Sequence, residues 1–123
     1  MAVIPGSDAP AYELNGVTFT SLTCPSRGSS ETSVWQVEVP PGTPAAPHEL
    51  TREEVLVVLA GRARVRIGDE WSEAGVGDTI VVPAATPFEL TNAGDGPLRA
   101  VVCLPVGGQA RLGGETFTPA WAQ

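Results

Sequence analysis

Apolar, β-branched runs recur along this chain at close intervals, and glycine or proline stops almost every one of them. Val34-Trp-Gln-Val-Glu-Val39 runs into Pro40-Pro41-Gly42, Val55-Leu-Val-Val-Leu59 into Gly61, and Thr79-Ile-Val-Val82 into Pro83. A strand buries a face within five or six residues, whereas a helix needs about ten or more. The pattern therefore predicts an all-β protein of roughly seven to ten short strands, a sandwich or a barrel. Fourteen glycines and twelve prolines in 123 residues fit one small domain of this kind.

Alternation sets the faces. Trp35, Val37 and Val39 share one side of their strand, and Gln36 and Glu38 the other. In Arg62-Ala-Arg-Val-Arg-Ile67 the three arginines face water, Ala63, Val65 and Ile67 face inward, and Gly68-Asp69 makes a hairpin turn. Val55 to Leu59 is apolar at every position, so both of its faces are expected to be covered, one by the interior and the other by a second sheet or a partner chain. Phe88 and Leu90 share a face, and Leu98 to Leu104 is the last long strand. Residues 1–16 read as an irregular arm, 17–106 as the barrel, and 107–123 as an extension packed on it, with Thr116-Phe-Thr a short strand and Trp121 pinned to the body. Trp35 and Trp71 read as core or interface residues.

A net charge of −7 argues against nucleic acid and anionic membranes as partners. The longest apolar run, Val55 to Ala60, is too short to span a bilayer, and Met1 to Pro5 has neither the basic start nor the apolar core of a leader. Cys24 and Cys103 stand in no metal or redox spacing. They read as reduced thiols in a cytoplasmic protein, with a disulfide between them as the alternative.

The chemistry gathers between Gly42 and Gly61, which hold the only histidine, His48, and a carboxylate pair, Glu53-Glu54. Pro44 and Pro47 force the approach to His48 into extended conformations. His48 and Leu50 then point one way and Glu49 the other. Glu53 reads as a solvated turn residue, and Arg52 as a counter-charge within the acidic turn. A histidine buried beside Glu54 is disfavoured as a cation by desolvation and favoured as one by pairing. Held near neutrality, it can move protons, for example alpha to a carbonyl.

The spacing Gly42, five residues, His48, one residue, Leu50, three residues, Glu54, six residues, Gly61 resembles the first motif of the cupin superfamily. That motif carries a second histidine where Leu50 stands. Gly77, Pro83, Ala85, Phe88 and Asn92 fall at the spacings of the second cupin motif, whose histidine position is Phe88. The resemblance implies a double-stranded β-helix, or jelly-roll barrel, commonly paired into a homodimer by sheet contact. It also implies a divalent metal on four ligands. Two of those positions, Leu50 and Phe88, are apolar here, so no cofactor is expected; a divalent ion on His48 and Glu54 alone is the alternative, with Glu49, Glu53, Cys24 or Cys103 as the residues that would have to complete it.

The resulting expectation is a small-molecule site. His48 and Glu54 would be its catalytic pair, with Glu54 orienting His48, and Leu50, Phe88, Trp35 and Leu90 its pocket. Metal-independent isomerases and cyclases are known among cupin-like proteins, and the resemblance admits that class. A metal-dependent dioxygenase or isomerase with a reduced ligand set is the second reading. A non-catalytic ligand-binding or structural barrel with a remnant site is the third.

Overall fold

The computed structural model describes residues 2–123. Met1, the first residue of the expected arm, lies outside them. Twelve strands are described: β1 (Ala11–Leu14), β2 (Val17–Thr23), β3 (Thr32–Val39), β4 (Glu49–Leu50), β5 (Glu54–Ala60), β6 (Ala63–Ile67), β7 (Glu70–Ala74), β8 (Thr79–Val82), β9 (Phe88–Asn92), β10 (Leu98–Pro105), β11 (Ala110–Leu112) and β12 (Glu115–Phe117). All pairings are antiparallel. One layer is a six-stranded sheet in the order β1-β2-β3-β10-β5-β8. The other comprises two three-stranded sheets, β12-β11-β4 and β7-β6-β9.

Those two small sheets are joined at one point. The His48 N–H donates to the Phe88 carbonyl at 3.0 Å, and the Phe88 N–H donates back to the His48 carbonyl at 2.8 Å. The bridge makes them one continuous layer, and the molecule is the expected jelly-roll barrel with its core between the layers.

The core follows from alternation. Ser33, Trp35, Val37 and Val39 of β3 are buried, as are Leu98, Ala100, Val102 and Leu104 of β10. Register lines Trp35, Val102, Leu56 and Ile80 into one row across the large sheet. Each such aliphatic side chain contributes about 1.5–3 kcal/mol on burial. The outward side of β5 is only partly covered: Val55 and Val57 are half-buried and Leu59 is exposed.

The structure corrects four expectations. The arm is not irregular throughout, because Ala11–Leu14 forms β1 and pairs with β2. The cause is the Asn15-Gly16 turn, whose φ values of 53° and 84° suit a tight two-residue hairpin. The C-terminal segment supplies two strands rather than one, and the additional strand, β11, pairs with β4. Of the two readings of Trp71, the core one fails: it is 48 % exposed, on edge strand β7, with the Arg64 guanidinium 4.3 Å from its ring centre. The arginine stripe does not simply face water: Arg62 pairs with Glu73, and Arg66 with Glu89 at 3.3 Å, where it is largely covered.

Gly61 shows why the first motif ends in glycine. Its φ is +80°, and a Cβ there would stand 2.6 Å from the Pro97 carbonyl oxygen and 3.0 Å from Leu98 Cα. Both obstacles are backbone and cannot swing aside. Gly61→Ala is expected to cost more than about 2 kcal/mol in urea unfolding. Gly68→Ala, with φ +59° and nothing within 4 Å, should cost only about 1 kcal/mol. Equal losses at the two positions would refute the steric account.

Candidate functional site

Between the layers lies a cavity of about 160 Å³. The structure brings all six residues singled out in the sequence to its wall: His48, Leu50 (β4), Glu54 (β5), Trp35 (β3), Phe88 and Leu90 (β9). Sequence reasoning missed the contribution of the chain ends. Phe19 of β2, Phe117 of β12 and Trp121 also line it, as do Leu14 and Asn15 of the first hairpin. Trp121 stacks on Phe19 with ring centres 3.7 Å apart and planes within 5° of parallel. Leu14, Asn15 and Pro44 are exposed whereas Trp35, Leu56 and Val102 are buried, so the opening lies at the β1–β2 turn and the loop before His48.

His48 is held from two sides. Its backbone is fixed by the bridge to Phe88, and its ring leans on the Phe88 ring with centres 4.5 Å apart. Nδ1 lies 2.8 Å from the Ala46 carbonyl oxygen. A carbonyl only accepts, so Nδ1 carries the proton and Nε2 keeps a free lone pair. Burial pushes the imidazole below its usual 6.5, and the Ala46 carbonyl offsets only part of this. At neutral pH His48 is uncharged.

Glu54 opens β5 opposite Val82 and is 5 % exposed. Burial alone acts on its carboxyl, with no hydrogen bond or neighbouring charge to offset it, and pushes it up to about 8. At neutral pH it is a carboxylic acid.

The expected pairing of His48 with Glu54 is therefore corrected. The ion pairs among the described residues join arginines to Glu73, Glu89, Glu38 and Glu49, and none includes His48 or Glu54. Nor does Glu54 orient His48; the Ala46 carbonyl does. The reason is separation: the two side chains share one wall without coming within reach of each other, so each meets its desolvation alone.

A divalent metal does not fit the residues present. Leu50 and Phe88 carry no lone pairs, and no group of three or more His, Cys, Asp or Glu side chains comes together among the described residues. Glu49 is turned to Arg111 at 3.1 Å on the other side of its strand, and Glu53 is exposed. Cys24 lies beside Ser21 and Ser26, and Cys103 is on the opposite face of β10 from Val102. Both are free thiols.

A family model described as "Cupin domain" matches residues 35–104. An uncharacterised protein of Methanocaldococcus jannaschii is 35% identical over 72 residues, 58% of each chain. The present chain thus spans little more than half of that relative's length. Among solved structures, the polyketide cyclase RemF of Streptomyces resistomycificus superposes with a TM-score of 0.74 at 21% identity, over 94% of this chain and 81% of its own. A mutant of the oxalate decarboxylase OxdC of Bacillus subtilis gives 0.71 at 21% identity, over 80% and 28%. An RmlC-like cupin of Shewanella frigidimarina gives 0.70 at 14%, over 81% and 86%. No helix among the described residues is long and apolar enough to cross a membrane.

The buried carboxyl makes stability depend on pH with a definite sign. Raised from 4.5 to about 8, Glu54 binds a proton in the folded state that it has lost in the unfolded chain. Its contribution is whole below pH 4.5 and is lost as pH rises through 8. Within that window the loss should approach about 1.4 kcal/mol per pH unit. His48, shifted the other way, acts below 6.5 with the opposite slope. Urea unfolding between pH 6.5 and 8 separates Glu54 from His48, and Glu54→Gln should remove the part of the slope that Glu54 contributes. Identical profiles for the two proteins would contradict the burial of an unpaired carboxyl.

Proposed function

Because this chain belongs to the cupin family, we propose that its lumen is a small-molecule site in which a proton is moved without a metal, as an isomerase or cyclase requires. One observation carries the reading: an apolar cavity remains open around two titratable groups that are both uncharged and paired to no other side chain. Apolar walls with a few convergent polar groups are the general form of a ligand pocket. A remnant structural site would favour a lumen closed by packing, since an unfilled cavity costs stability.

The dimensions narrow the ligand. At about 160 Å³ the space is below the roughly 300–1,000 Å³ of sites for drug-sized molecules. It compares with engineered cavities of about 150 Å³ that hold one benzene ring. A single ring or a short branched chain fits.

The roles follow from the protonation states. His48 offers Nε2 as base, with its tautomer set by the Ala46 carbonyl. Glu54 offers an O–H as donor rather than an anion. RemF is a polyketide cyclase on the same fold, which is compatible with this class of chemistry. The donor set supports metal independence. The two free thiols are in keeping with a cytoplasmic setting.

A homodimer belongs to the same proposal. Register aligns Val34, Cys103, Val55 and Val81 in a cross-strand row on the outward face of the large sheet. Val81 is 49 % exposed, and β8 is an edge strand. A second copy laid on this face would cover the row. Val81→Glu is expected to halve the mass in sedimentation equilibrium; a wild-type monomer would dispose of the dimer.

Toluene should bind in the lumen and quench the fluorescence of Trp35 and Trp121. Dialysis against EDTA should leave both its affinity and the melting temperature unchanged. A fall in either on chelation would overturn the metal-free reading. His48→Gln should retain toluene binding and lose less than about 1 kcal/mol of stability. A much larger loss would make His48 a structural residue and remove it from the chemistry.

A further inference from the structure

The polar inventory of the lumen is short. No lysine or arginine lines it. Thr43 Oγ1 is already committed to the Pro40 carbonyl at 2.8 Å, and Asn15 is exposed in the first hairpin turn. Trp121 Nε1 has no partner but is sealed away from solvent. The groups left for a ligand are therefore the Glu54 carboxyl, nine-tenths buried and without a hydrogen-bond partner, and His48 Nε2.

These two groups prescribe a complement. An anionic ligand would be desolvated in a wall with no cation to meet it. A cationic amine would find Glu54, but only by burying two charges in apolar surroundings, where desolvation offsets the attraction. A neutral ligand avoids both costs. It needs an oxygen to accept from the Glu54 O–H and a proton for His48 Nε2 to take. One functional group supplies both at adjacent atoms: a carbonyl with an α-hydrogen.

Resting on the lumen as a small-molecule site, we infer that the ligand is a neutral, single-ring or similarly compact ketone, held through its carbonyl oxygen by Glu54 and enolised by His48. In the step, the α C–H bond breaks, His48 Nε2 takes the proton, and the released electron pair forms the C=C bond. The carbonyl π pair takes the proton of the Glu54 carboxyl, giving the enol, an imidazolium and a carboxylate. Return of the His48 proton to the α carbon, or to a conjugated γ carbon, and of the enol proton to Glu54 restores both residues; the second route is an isomerisation. No oxidant or metal enters the balance. A carboxylic acid kept neutral by an apolar site so that it can donate to a carbonyl is an established catalytic device.

Four six-membered-ring probes of similar shape test this: cyclohexanone, cyclohexylamine, cyclohexanecarboxylate and methylcyclohexane, each titrated against the full chain by tryptophan fluorescence. Cyclohexanone is expected to bind about tenfold more tightly than the other three. It should exchange its α-hydrogens for deuterium in D₂O faster with protein than without, and His48→Gln should abolish the excess. Glu54→Leu should bring cyclohexanone down to the affinity of methylcyclohexane while leaving methylcyclohexane bound. Glu54→Gln, which keeps an N–H donor, should recover part of the preference. Tightest binding of the amine or the carboxylate would overturn the inference. So would methylcyclohexane binding as well as cyclohexanone, although the lumen would then still be a ligand site. Failure of all four to bind would overturn that reading as well.

Discussion

Two backbone hydrogen bonds between His48 and Phe88 hold the second layer of this barrel together. On one side of them lie β4, β11 and β12; on the other lie β9, β6 and β7. Without the bridge the small sheets would each have an unpaired edge facing the other, with buried donors and acceptors left unmet. The bridge also brings the two side chains to the lumen wall, where their rings are in contact. Architecture and site therefore share residues. The backbone of His48 is structural, whereas Nε2 of its ring is left without a partner.

The lumen is governed by the cost of charge. With mainly aromatic and aliphatic walls, both titratable groups are held uncharged at neutral pH: Glu54 keeps the proton it would lose in water, and His48 is held further from the cationic form. The charged surface is organised differently. There Arg62, just before β6, and arginines on β6, β10 and β11 meet glutamates of neighbouring strands. The exposed ones among these pairs, Arg62–Glu73 and Arg99–Glu38, each contribute about 0–1 kcal/mol. The protein thus divides its ionisable residues between an outer set that stays charged and an inner pair that does not.

Much of this was legible in the sequence. The strict alternation in β3 and β6 gave their inward faces, because one side of each strand is buried and a strand has a period of two. Pro44 and Pro47 fixed the extended approach, which placed His48 and Leu50 on one wall and sent Glu49 to Arg111. What escaped was long-range or energetic. Strand β11 pairs with β4 about sixty residues earlier, and nothing local in Ala110-Arg-Leu112 announces it. The Asn15-Gly16 turn was a readable hairpin signal that an arm rich in proline and glycine obscured. The core reading of Trp71 failed because its apolar character says nothing of its position on an edge strand under Arg64. The pairing of His48 with Glu54 failed because strand phase puts two groups on one wall but does not give the distance between them.

The four positions His48, Leu50, Glu54 and Phe88 all open on the same space. Where other barrels of this resemblance gather metal ligands, two positions here are hydrocarbon, and the same space is instead apolar. In evolutionary terms, exchanging one kind of occupant for the other needs few mutations and no new fold. The backbone that presents these side chains is pinned at the His48–Phe88 bridge and at Gly61, so replacements at Leu50 and Phe88 alter the chemistry offered without moving the frame that offers it.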